Sequence, residues 1–283
     1  MKLYKYFPPS RVDVLKSNLI CFSNPLNFND PFEFHALFDV SSITDVIKVQ
    51  LDDVDLVSHM TEQQRFFFDM QPEGNENIIP AYFRPMLNHL YEQNEHLFLD
   101  FTSKAMNTLN EKFMDVVRVL CLSEKNDNLL MWAHYGASHT GFVIEFDSEH
   151  SYFNQRRSRS DEFGFLRKVE YREHIETINP LGELEMGHFL AKSKDWEYES
   201  EWRMFQPDNA ATKNINNESF ICDLYKFPCD SVKNIILGCR ASPDFEKQVS
   251  DLLVSKKEYS HVGLFKCVRS NEKYELLIEP VRK

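Results

Sequence analysis

The sequence predicts an α+β fold in which a mixed or antiparallel sheet carries one helical insertion. Short segments rich in β-branched and aromatic residues occur before residue 41 and after residue 115, and several alternate with period two. Between these positions the apolar residues recur at helical spacing, and Pro72 and Pro80 divide them into three or four segments. We expect the 283 residues to form one domain, with the helical insertion at about 41–115 inside it.

Most of the predicted elements belong to the sheet. We expect strands at Leu3–Phe7, Leu19–Ser23, Val119–Ser123, Phe142–Asp147, Leu166–Tyr171, Trp196–Phe205, Phe220–Tyr225, Val232–Leu237, Val262–Val268 and Tyr274–Ile278. Outside the insertion, helices are expected at Arg11–Ser17, Asn128–Tyr135, Glu183–Lys192 and Phe245–Lys256. The second of these helices has asparagines at its start that can cap it, and Gly136 stands where it would end.

Composition and charge narrow the classes of function. The chain has 32 basic and 44 acidic residues, and this net charge of −12 argues against a surface that binds nucleic acid broadly. It has eight glycines and neither a GxGxxG nor a P-loop motif, so these glycine-rich phosphate loops are absent. Arg156, Arg157 and Arg159 are the best candidates for a local contact with nucleic acid or phosphate, although such a loop is usually only solvated.

The six cysteines are dispersed, and several lie in apolar strands, so we expect small buried side chains rather than disulfides. A zinc site formed by Cys222, Cys229 and Cys239 is the alternative. No apolar run approaches the ~20 residues of a membrane helix, and the N-terminus does not resemble a signal peptide. We therefore expect a cytoplasmic protein with no membrane contact.

Acidic residues alternate in the segment Trp196–Phe205. If this segment is a strand, Glu197, Glu199 and Glu201 share one of its faces. Such a row is tolerable on an exposed edge strand, where charge prevents pairing with other chains. It is equally suited to a site that holds a cation or a positively charged transition state. The pattern by itself leaves both interpretations open.

Aromatic and imidazole groups are concentrated between two predicted strands. Trp132, His134 and Tyr135 fall within one helical turn. Trp132 is expected to pack in the core, and for His134 a core histidine with satisfied hydrogen bonds is the alternative to a ligand contact. Tyr135 comes at the end of the helix and is the better candidate for contact with a planar ligand.

Four motifs follow one another along the chain: LYKY at Leu3–Tyr6, FNDPFE at Phe28–Glu33, MWAHY at Met131–Tyr135 and WEYESEWR at Trp196–Arg203. In this order they resemble a widespread bacterial family that carries only a domain-of-unknown-function label and has relatives among abortive phage-infection proteins. The resemblance covers most of the chain except the helical insertion. The family label implies no chemistry.

The order of parts is also similar to the ADP-ribosyltransferase fold. There a first strand supplies a ribose-binding group, a tyrosine after a short helix stacks on nicotinamide, and a late strand carries the catalytic glutamate, often as ExE. The resemblance implies that Glu201 is catalytic and that Glu199 orients or deprotonates the acceptor. It implies that Tyr135 stacks on nicotinamide and that Lys5 replaces a histidine. The further residues expected to contact NAD are Tyr4, Ser123 and His134.

Lys5 departs from the pattern, because a protonated lysine cannot accept a hydrogen bond, although it can donate one to a ribose hydroxyl or a phosphate. Three hypotheses remain. The first is an ADP-ribosyltransferase-like enzyme, a toxin or phage-defence effector, that uses NAD without a metal and modifies an acceptor that the sequence does not identify. The second is a non-catalytic binding protein of the same fold. The third is a nuclease that requires Mg²⁺ and is built on Asp30, Glu33, Glu199 and Glu201.

Overall fold

A computed structural model describes residues 1–283 apart from 36, 54, 56–57, 59, 70–77, 181–185, 218–219 and 282–283. The helices are α1 Asp13–Ser17, α2 Ser41–Asp53, α3 Glu62–Asp69, α4 Ile78–Val116, α5 Leu129–His134 and α6 Pro243–Ser255. The strands are β1 Lys2–Phe7, β2 Leu19–Ser23, β3 Leu37–Phe38, β4 Val117–Ser123, β5 Phe142–Asp147, β6 Leu166–Lys168, β7 Glu170–Arg172, β8 Thr177–Ile178, β9 Ala191–Ser193, β10 Glu201–Pro207, β11 Lys213–Asn217, β12 Phe220–Lys226, β13 Val232–Leu237, β14 Gly263–Arg269 and β15 Leu276–Pro280. This mixture of helices and strands confirms the predicted α+β class.

The described residues divide into two compact units. Unit 1 comprises Met1–His35, Lys112–His174 and Met186–Lys283, and it contains the main sheet. Unit 2 comprises Ala36–Glu111 and Ile175–Glu185, and it contains α2, α3 and most of α4.

Unit 2 is mainly helical. An ion pair of 3.1 Å joins Lys48 on α2 to Glu95 on α4, and β3 and β8 form a short parallel pair. Pro80 lies in the first turn of the described helix α4, where proline is tolerated, so it does not interrupt that helix. Pro72, the other predicted break, lies outside the described residues. In the part of the chain that the structure describes, no helix is both long and apolar enough to cross a membrane.

The main sheet of unit 1 is mixed but mainly antiparallel. Its strand order is β11-β12-β2-β4-β1-β5-β13-β14-β15, with β10 and β6 added beside β4. The parallel pair β13–β14 is connected through α6, which begins at the N-cap Ser242 followed by Pro243. From α6, Phe245 packs against Phe142 of β5 with ring centroids 5.9 Å apart, so the helix covers one face of the sheet.

The sheet divides at β4. One edge of β4 pairs with β10 along the whole strand. The other edge is shared, because β1 pairs with it through Tyr4 and Ser123, and β2 through Ser23 and Val119. Cys121, between these positions, pairs with neither β1 nor β2. An opening therefore lies between β1 and β2 at the middle of β4.

Two element predictions between residues 166 and 192 are wrong. The predicted helix Glu183–Lys192 is a 3₁₀ turn, Met186–Leu190, followed by β9, and its first residues lie outside the described ones. The apolar residues of this turn have helical spacing, which a short 3₁₀ turn satisfies equally well. The predicted strand Leu166–Tyr171 is instead divided into β6 and β7, which pair with β10 and β9 respectively.

One disulfide contradicts the prediction of free cysteines. Cys21 on β2 and Cys222 on β12 are bonded, with Cα atoms 5.9 Å apart. The two residues are separated by 201 positions, and only the pairing of β2 with β12 brings them together. Because Cys222 is used in this bond, its thiolate is not free for the alternative zinc site. The free cysteines of the described chain are Cys121, Cys229, Cys239 and Cys267.

Candidate functional site

A cavity of about 390 Å³ opens in unit 1 where the sheet divides. Its walls come from β1, β2, β4, β9 and the start of β10, from the end of α5, and from the loop at 27–33. The volume lies within the range of about 300–1,000 Å³ that is typical of small-molecule sites. The residues predicted for an NAD site that line it are Tyr4, Lys5, Ser123, Tyr135, Glu199 and Glu201.

The acidic segment before β10 is not the continuous strand that the sequence predicts. Residues Lys194–Glu199 form a 3₁₀ helix, and Ser200 then adopts the left-handed region with φ of 46°. This turn removes the predicted alternation, so Glu197 is exposed whereas Glu199 and Glu201 are both buried. The interpretation as an exposed edge strand is also wrong, because β10 pairs with β4 on one side and β6 on the other.

Glu199 and Glu201 meet at the ammonium group of a buried lysine, Lys192 on β9. Its Nζ donates to Glu199 Oε2 at 2.5 Å and to Glu201 Oε2 at 3.1 Å, and lies 2.9 Å from Glu33 Oε1. The ring of Trp196 covers the ammonium at 5.1 Å from its centroid. Only 4% of the lysine side chain is exposed, so its charge depends on these partners for stabilisation.

Arg203 on β10 supplies a second, fully buried cation. Its Nε and Nη2 donate to the two carboxylate oxygens of Glu201 at 2.9 and 3.0 Å. Nη2 also donates to Glu33 Oε1 at 2.5 Å, and Nη1 donates to the carbonyl of Phe189 at 3.0 Å. We call these five charged residues the charged cluster: Glu33, Lys192, Glu199, Glu201 and Arg203. Three carboxylates face two cations, which leaves one excess negative charge when all of them are ionised.

The charged cluster keeps Glu201 ionised. Burial acts to raise the pKa of Glu201, but the charges of Arg203 and Lys192 outweigh it and lower the pKa to about 2. For Glu33 burial dominates, so its pKa is raised in spite of the same two cations. Burial acts to lower the pKa of Lys192, and the carboxylates of Glu201, Glu33 and Glu199 together raise it. At neutral pH, Glu201 is therefore an anion and Lys192 a cation.

Acid is expected to weaken the folded protein through Glu201. Its pKa is about 2 in the folded chain against an ordinary 4.5, so the ionised carboxylate contributes stability above pH 4.5 that is lost as the pH falls towards 2. The contribution is about 3 kcal/mol. The raised pKa of Glu33 acts with the opposite sign, because it adds stability at low pH that is lost as the pH rises.

Urea denaturation of the wild type and of Glu201→Gln, from neutral pH down to about pH 3, isolates this contribution. The difference in free energy of unfolding between the two proteins is expected to shrink as the pH falls, because only the wild type protonates at residue 201. A difference that does not change with pH would contradict the low pKa.

Tyr135 follows the short helix α5, as predicted. Asn128 caps this helix, because its side-chain oxygen accepts from the backbone N–H groups of Leu130 and Met131. The hydroxyl of Tyr135 donates to Glu199 Oε1 at 2.7 Å. Burial and the negative charge of Glu199 raise the pKa of Tyr135, so the hydroxyl stays protonated. With its hydroxyl engaged, Tyr135 offers a ligand mainly the face of its ring.

Lys5 and Cys121 line the cavity at the opening between β1 and β2. Within the described chain, the ammonium of Lys5 has no hydrogen-bond or ion-pair partner. The thiol of Cys121 forms a hydrogen bond with the carboxylate of Glu201. Burial, and secondly the negative charge of Glu201, raise the pKa of this thiol. Burial and the nearby Glu145 raise the pKa of Tyr4 to about 12. The thiol and the phenol are therefore neutral, and Lys5 is the group that can bind an anion here.

Two other predicted contacts are arranged differently from expectation. Ser123 lines the cavity, but its hydroxyl donates to the backbone carbonyl of Glu199 at 2.6 Å and so fixes the acidic segment. His134 is exposed, lies 6.4 Å from the ring of Tyr198 and is not among the lining residues. Trp132 is fully buried, which confirms its predicted place in the core. The fold thus separates His134 from the predicted NAD contacts, because successive helical residues face different directions.

The basic loop is also apart from the cavity. Arg156, Arg157 and Arg159 are exposed and do not line it. The guanidinium of Arg156 lies 4.1 Å from the ring centroid of Phe165 and donates to backbone carbonyls of its own loop. Arg157 pairs with Asp161 at 2.8 Å. These contacts engage some of the guanidinium N–H groups that would bind a phosphate. A contact of this loop with nucleic acid stays a prediction.

The carboxylates of the nuclease hypothesis do not form one acidic centre. Glu33, Glu199 and Glu201 converge, but on the two cations of the charged cluster. Asp30 does not line the cavity, and its Oδ1 accepts from the backbone N–H of Phe32 at 2.9 Å, as in a turn. Across the described ranges, no group of three or more His, Cys, Asp or Glu side chains is arranged to hold a metal ion.

Sequence reasoning assigns no role to Lys192, Arg203 or Cys121, although all three lie at this site. Arg203 has a detectable signal, because a cation stands between apolar residues within a predicted strand. Lys192 has none, since its neighbours in sequence suggest only the polar end of a helix. Burial of both cations also depends on Glu33, which a distant segment contributes and which local patterns do not contain.

The stretch around the charged cluster also has a counterpart among known families. Residues 131–204 match DUF2971, described as a protein of unknown function. The match includes Tyr135, Lys192, Glu199 and Glu201, and it agrees with the resemblance to a domain-of-unknown-function family over these residues. It leaves out β1 and the segment that contains Glu33. No curated protein and no solved structure matches the chain.

Proposed function

We propose that this protein is an ADP-ribosyltransferase that uses NAD as its substrate. The observation that supports the proposal is that Lys5, Tyr135 and Glu201, from three distant parts of the chain, line one cavity. The resemblance to the ADP-ribosyltransferase fold implies contacts with NAD at these same three positions. A cavity at the lower end of the usual size range suits the nicotinamide and its ribose better than an entire dinucleotide.

Glu201 would assist the cleavage of the nicotinamide–ribose bond. Positive charge develops on the ribose as this bond breaks, as in the hydrolysis of a glycoside. A carboxylate with a pKa of about 2 is ionised before the substrate arrives, and its hydrogen bonds to Arg203 hold it in one orientation. It stabilises the developing charge without having to reorganise. The positive charges of Lys192 and Arg203 weaken the electrostatic field of Glu201. Because the charged cluster has three carboxylates and two cations, its net charge is still negative.

Tyr135 and Glu199 would act together beside Glu201. The ring of Tyr135 stacks on nicotinamide, and the hydrogen bond from its hydroxyl to Glu199 fixes the angle of the ring. Glu199 orients the acceptor or takes its proton through the lone pairs not used by Tyr135 and Lys192. Lys5 donates to a phosphate or a ribose hydroxyl of NAD.

The acceptor in this proposal is a macromolecule, either protein or nucleic acid. Modification of such an acceptor, or depletion of NAD, is an activity by which a toxin or a phage-defence effector stops growth. We propose this biological role together with the chemistry.

Nicotinamide release from NAD by the purified protein tests the proposal. We expect release by the wild type, and about a two- to tenfold higher KM in Tyr135→Ala, which removes a stacking contact of roughly 0.5–1.5 kcal/mol. Tyr135→Phe keeps the ring and is expected to retain most of the affinity. Tyr198→Ala is the matched control, because Tyr198 is partly exposed and does not line the cavity. Absence of release by the wild type with protein and nucleic-acid acceptors present would contradict the proposal.

A non-catalytic member of the same fold is the second candidate. It is favoured by the two hydrogen bonds from Arg203 that occupy both oxygens of Glu201, and by the lysine in place of a histidine at position 5. Calorimetric titration with NAD distinguishes the two candidates. Binding of NAD without nicotinamide release, unchanged in Glu201→Gln, supports the non-catalytic protein.

A further inference from the structure

Lys192 occupies an unusual position for a lysine. Its ammonium lies within 3.1 Å of three carboxylates that come from different segments: the FNDPFE loop, the 3₁₀ helix and β10. A buried lysine is costly unless its charge is compensated, and here Glu33, Glu199 and Glu201 compensate it. The same side chain lines the cavity. It therefore joins the wall of the cavity to the interior of the charged cluster.

The backbone around Lys192 supports the same arrangement. Lys192 on β9 pairs with Tyr171 on β7. The hydroxyl of Tyr171 accepts a hydrogen bond from the backbone N–H of Glu201 at 2.8 Å. The short ribbon formed by β7 and β9 thus holds Glu201 twice, by its backbone through Tyr171 and by its carboxylate through Lys192.

Without the ammonium, the two glutamates would repel each other. Glu199 and Glu201 share Lys192 through their Oε2 atoms at 2.5 and 3.1 Å, so these oxygens lie close together around one charge. Arg203 contacts Glu201 and Glu33 in the described chain but not Glu199. Lys192 is thus the cation that holds Glu199 and Glu201 side by side, since like charges in low dielectric otherwise separate or protonate.

We infer that Lys192 is a positioning residue, which fixes the carboxylates of Glu199 and Glu201 next to each other at the cavity wall. Its role in turnover rests on the proposed function. Its role in positioning the carboxylates does not, and can be measured without NAD.

Carbon-13 NMR titration of the glutamate carboxylates, assigned with Glu199→Gln and Glu201→Gln, tests the inference directly. In the wild type we expect the Glu201 signal to remain that of an ionised carboxylate over the whole pH range in which the protein is folded. In Lys192→Met we expect it to titrate about 1–3 pH units higher, because one of two neighbouring cations is lost. Lys194→Met is the matched control, because Lys194 is exposed and its ion pair in the described chain is with Glu173. Glu201 in this variant should titrate as it does in the wild type.

A second variant separates positioning from folding. Lys192→Met leaves three carboxylates opposite one cation, Arg203. The double variant Lys192→Met with Glu33→Gln leaves two carboxylates opposite Arg203, so it has one excess negative charge, as the wild type does. We expect the double variant to fold and still to show the higher titration of Glu201. Its kcat for nicotinamide release should be about a hundredfold lower than that of the wild type, because misplaced catalytic groups cost about this much.

If Glu201 in the folded double variant titrates at the same pH as in the wild type, the inference is wrong. Failure of both variants to fold would overturn it as well, because Lys192 would then be required for the fold rather than for positioning. If the wild type releases no nicotinamide but the titrations change as expected, the proposed function fails while the positioning role of Lys192 stands.

Discussion

Glu201→Gln is expected to lower the rate of nicotinamide release by about a hundredfold or more, which is the usual cost of removing one preorganised group that stabilises transition-state charge. The glutamine has nearly the same shape but no negative charge to place against the ribose. The loss should appear in kcat, since the interaction forms as positive charge develops. Steady-state assays with NAD as the varied substrate measure it.

The variant is expected to remain folded at neutral pH. It leaves Lys192 and Arg203 opposite Glu33 and Glu199, so two cations face two carboxylates. Circular dichroism checks this point. Glu197→Gln is the matched control, because Glu197 belongs to the same acidic segment but is exposed, and it should release nicotinamide at the wild-type rate. Equal activity of Glu201→Gln and the wild type would remove Glu201 from the mechanism.

Arg203→Met is expected to give the largest loss of stability, about 3–5 kcal/mol in the free energy of unfolding, as is typical when one partner of a buried ion pair is removed. Arg203 is fully buried and contacts both Glu33 and Glu201. Methionine fills a similar volume but leaves these carboxylates with Lys192 as their remaining cation. It also leaves the carbonyl of Phe189 without its donor. Urea denaturation at neutral pH measures the change.

Two comparisons make this result specific. Arg157→Met removes an exposed guanidinium that pairs with Asp161, and little change is expected, as for most surface ion pairs. Glu33→Gln added to Arg203→Met removes one of the unpaired carboxylates and is expected to restore part of the lost stability. If Arg203→Met is as stable as the wild type, the buried charges do not contribute in the way that their contacts imply.

Local rules explain which parts of the site are predictable. The helix before Tyr135 is marked by an asparagine cap at Asn128, and the strand Val119–Ser123 by β-branched and apolar residues. Each signal is contained in about ten consecutive residues. Elements of this kind can be predicted, and both occur within one residue or two of the expected bounds.

The acidic segment shows where such reasoning fails. Its alternation satisfies the strand pattern, yet a 3₁₀ helix and the left-handed Ser200 replace the first half of the strand. The turn is stabilised by groups outside the segment, because Ser123 donates to the carbonyl of Glu199 and Lys192 binds both carboxylates. Those contacts outweigh the local preference for an extended chain, and periodicity contains no information about them.

The amino-acid sequence by itself determined the α+β class and the short capped helix, because these depend on neighbours along the chain, and the resemblance to the ADP-ribosyltransferase fold predicted residues that contact NAD. Only the tertiary structure decided which of them share a cavity, that Cys21 meets Cys222, and that Lys192 and Arg203 are buried with three glutamates. The physical reason is that a buried charge is stable only beside an opposite charge, and here Glu33 comes from a segment far from the other four charged residues, which lie between residues 192 and 203.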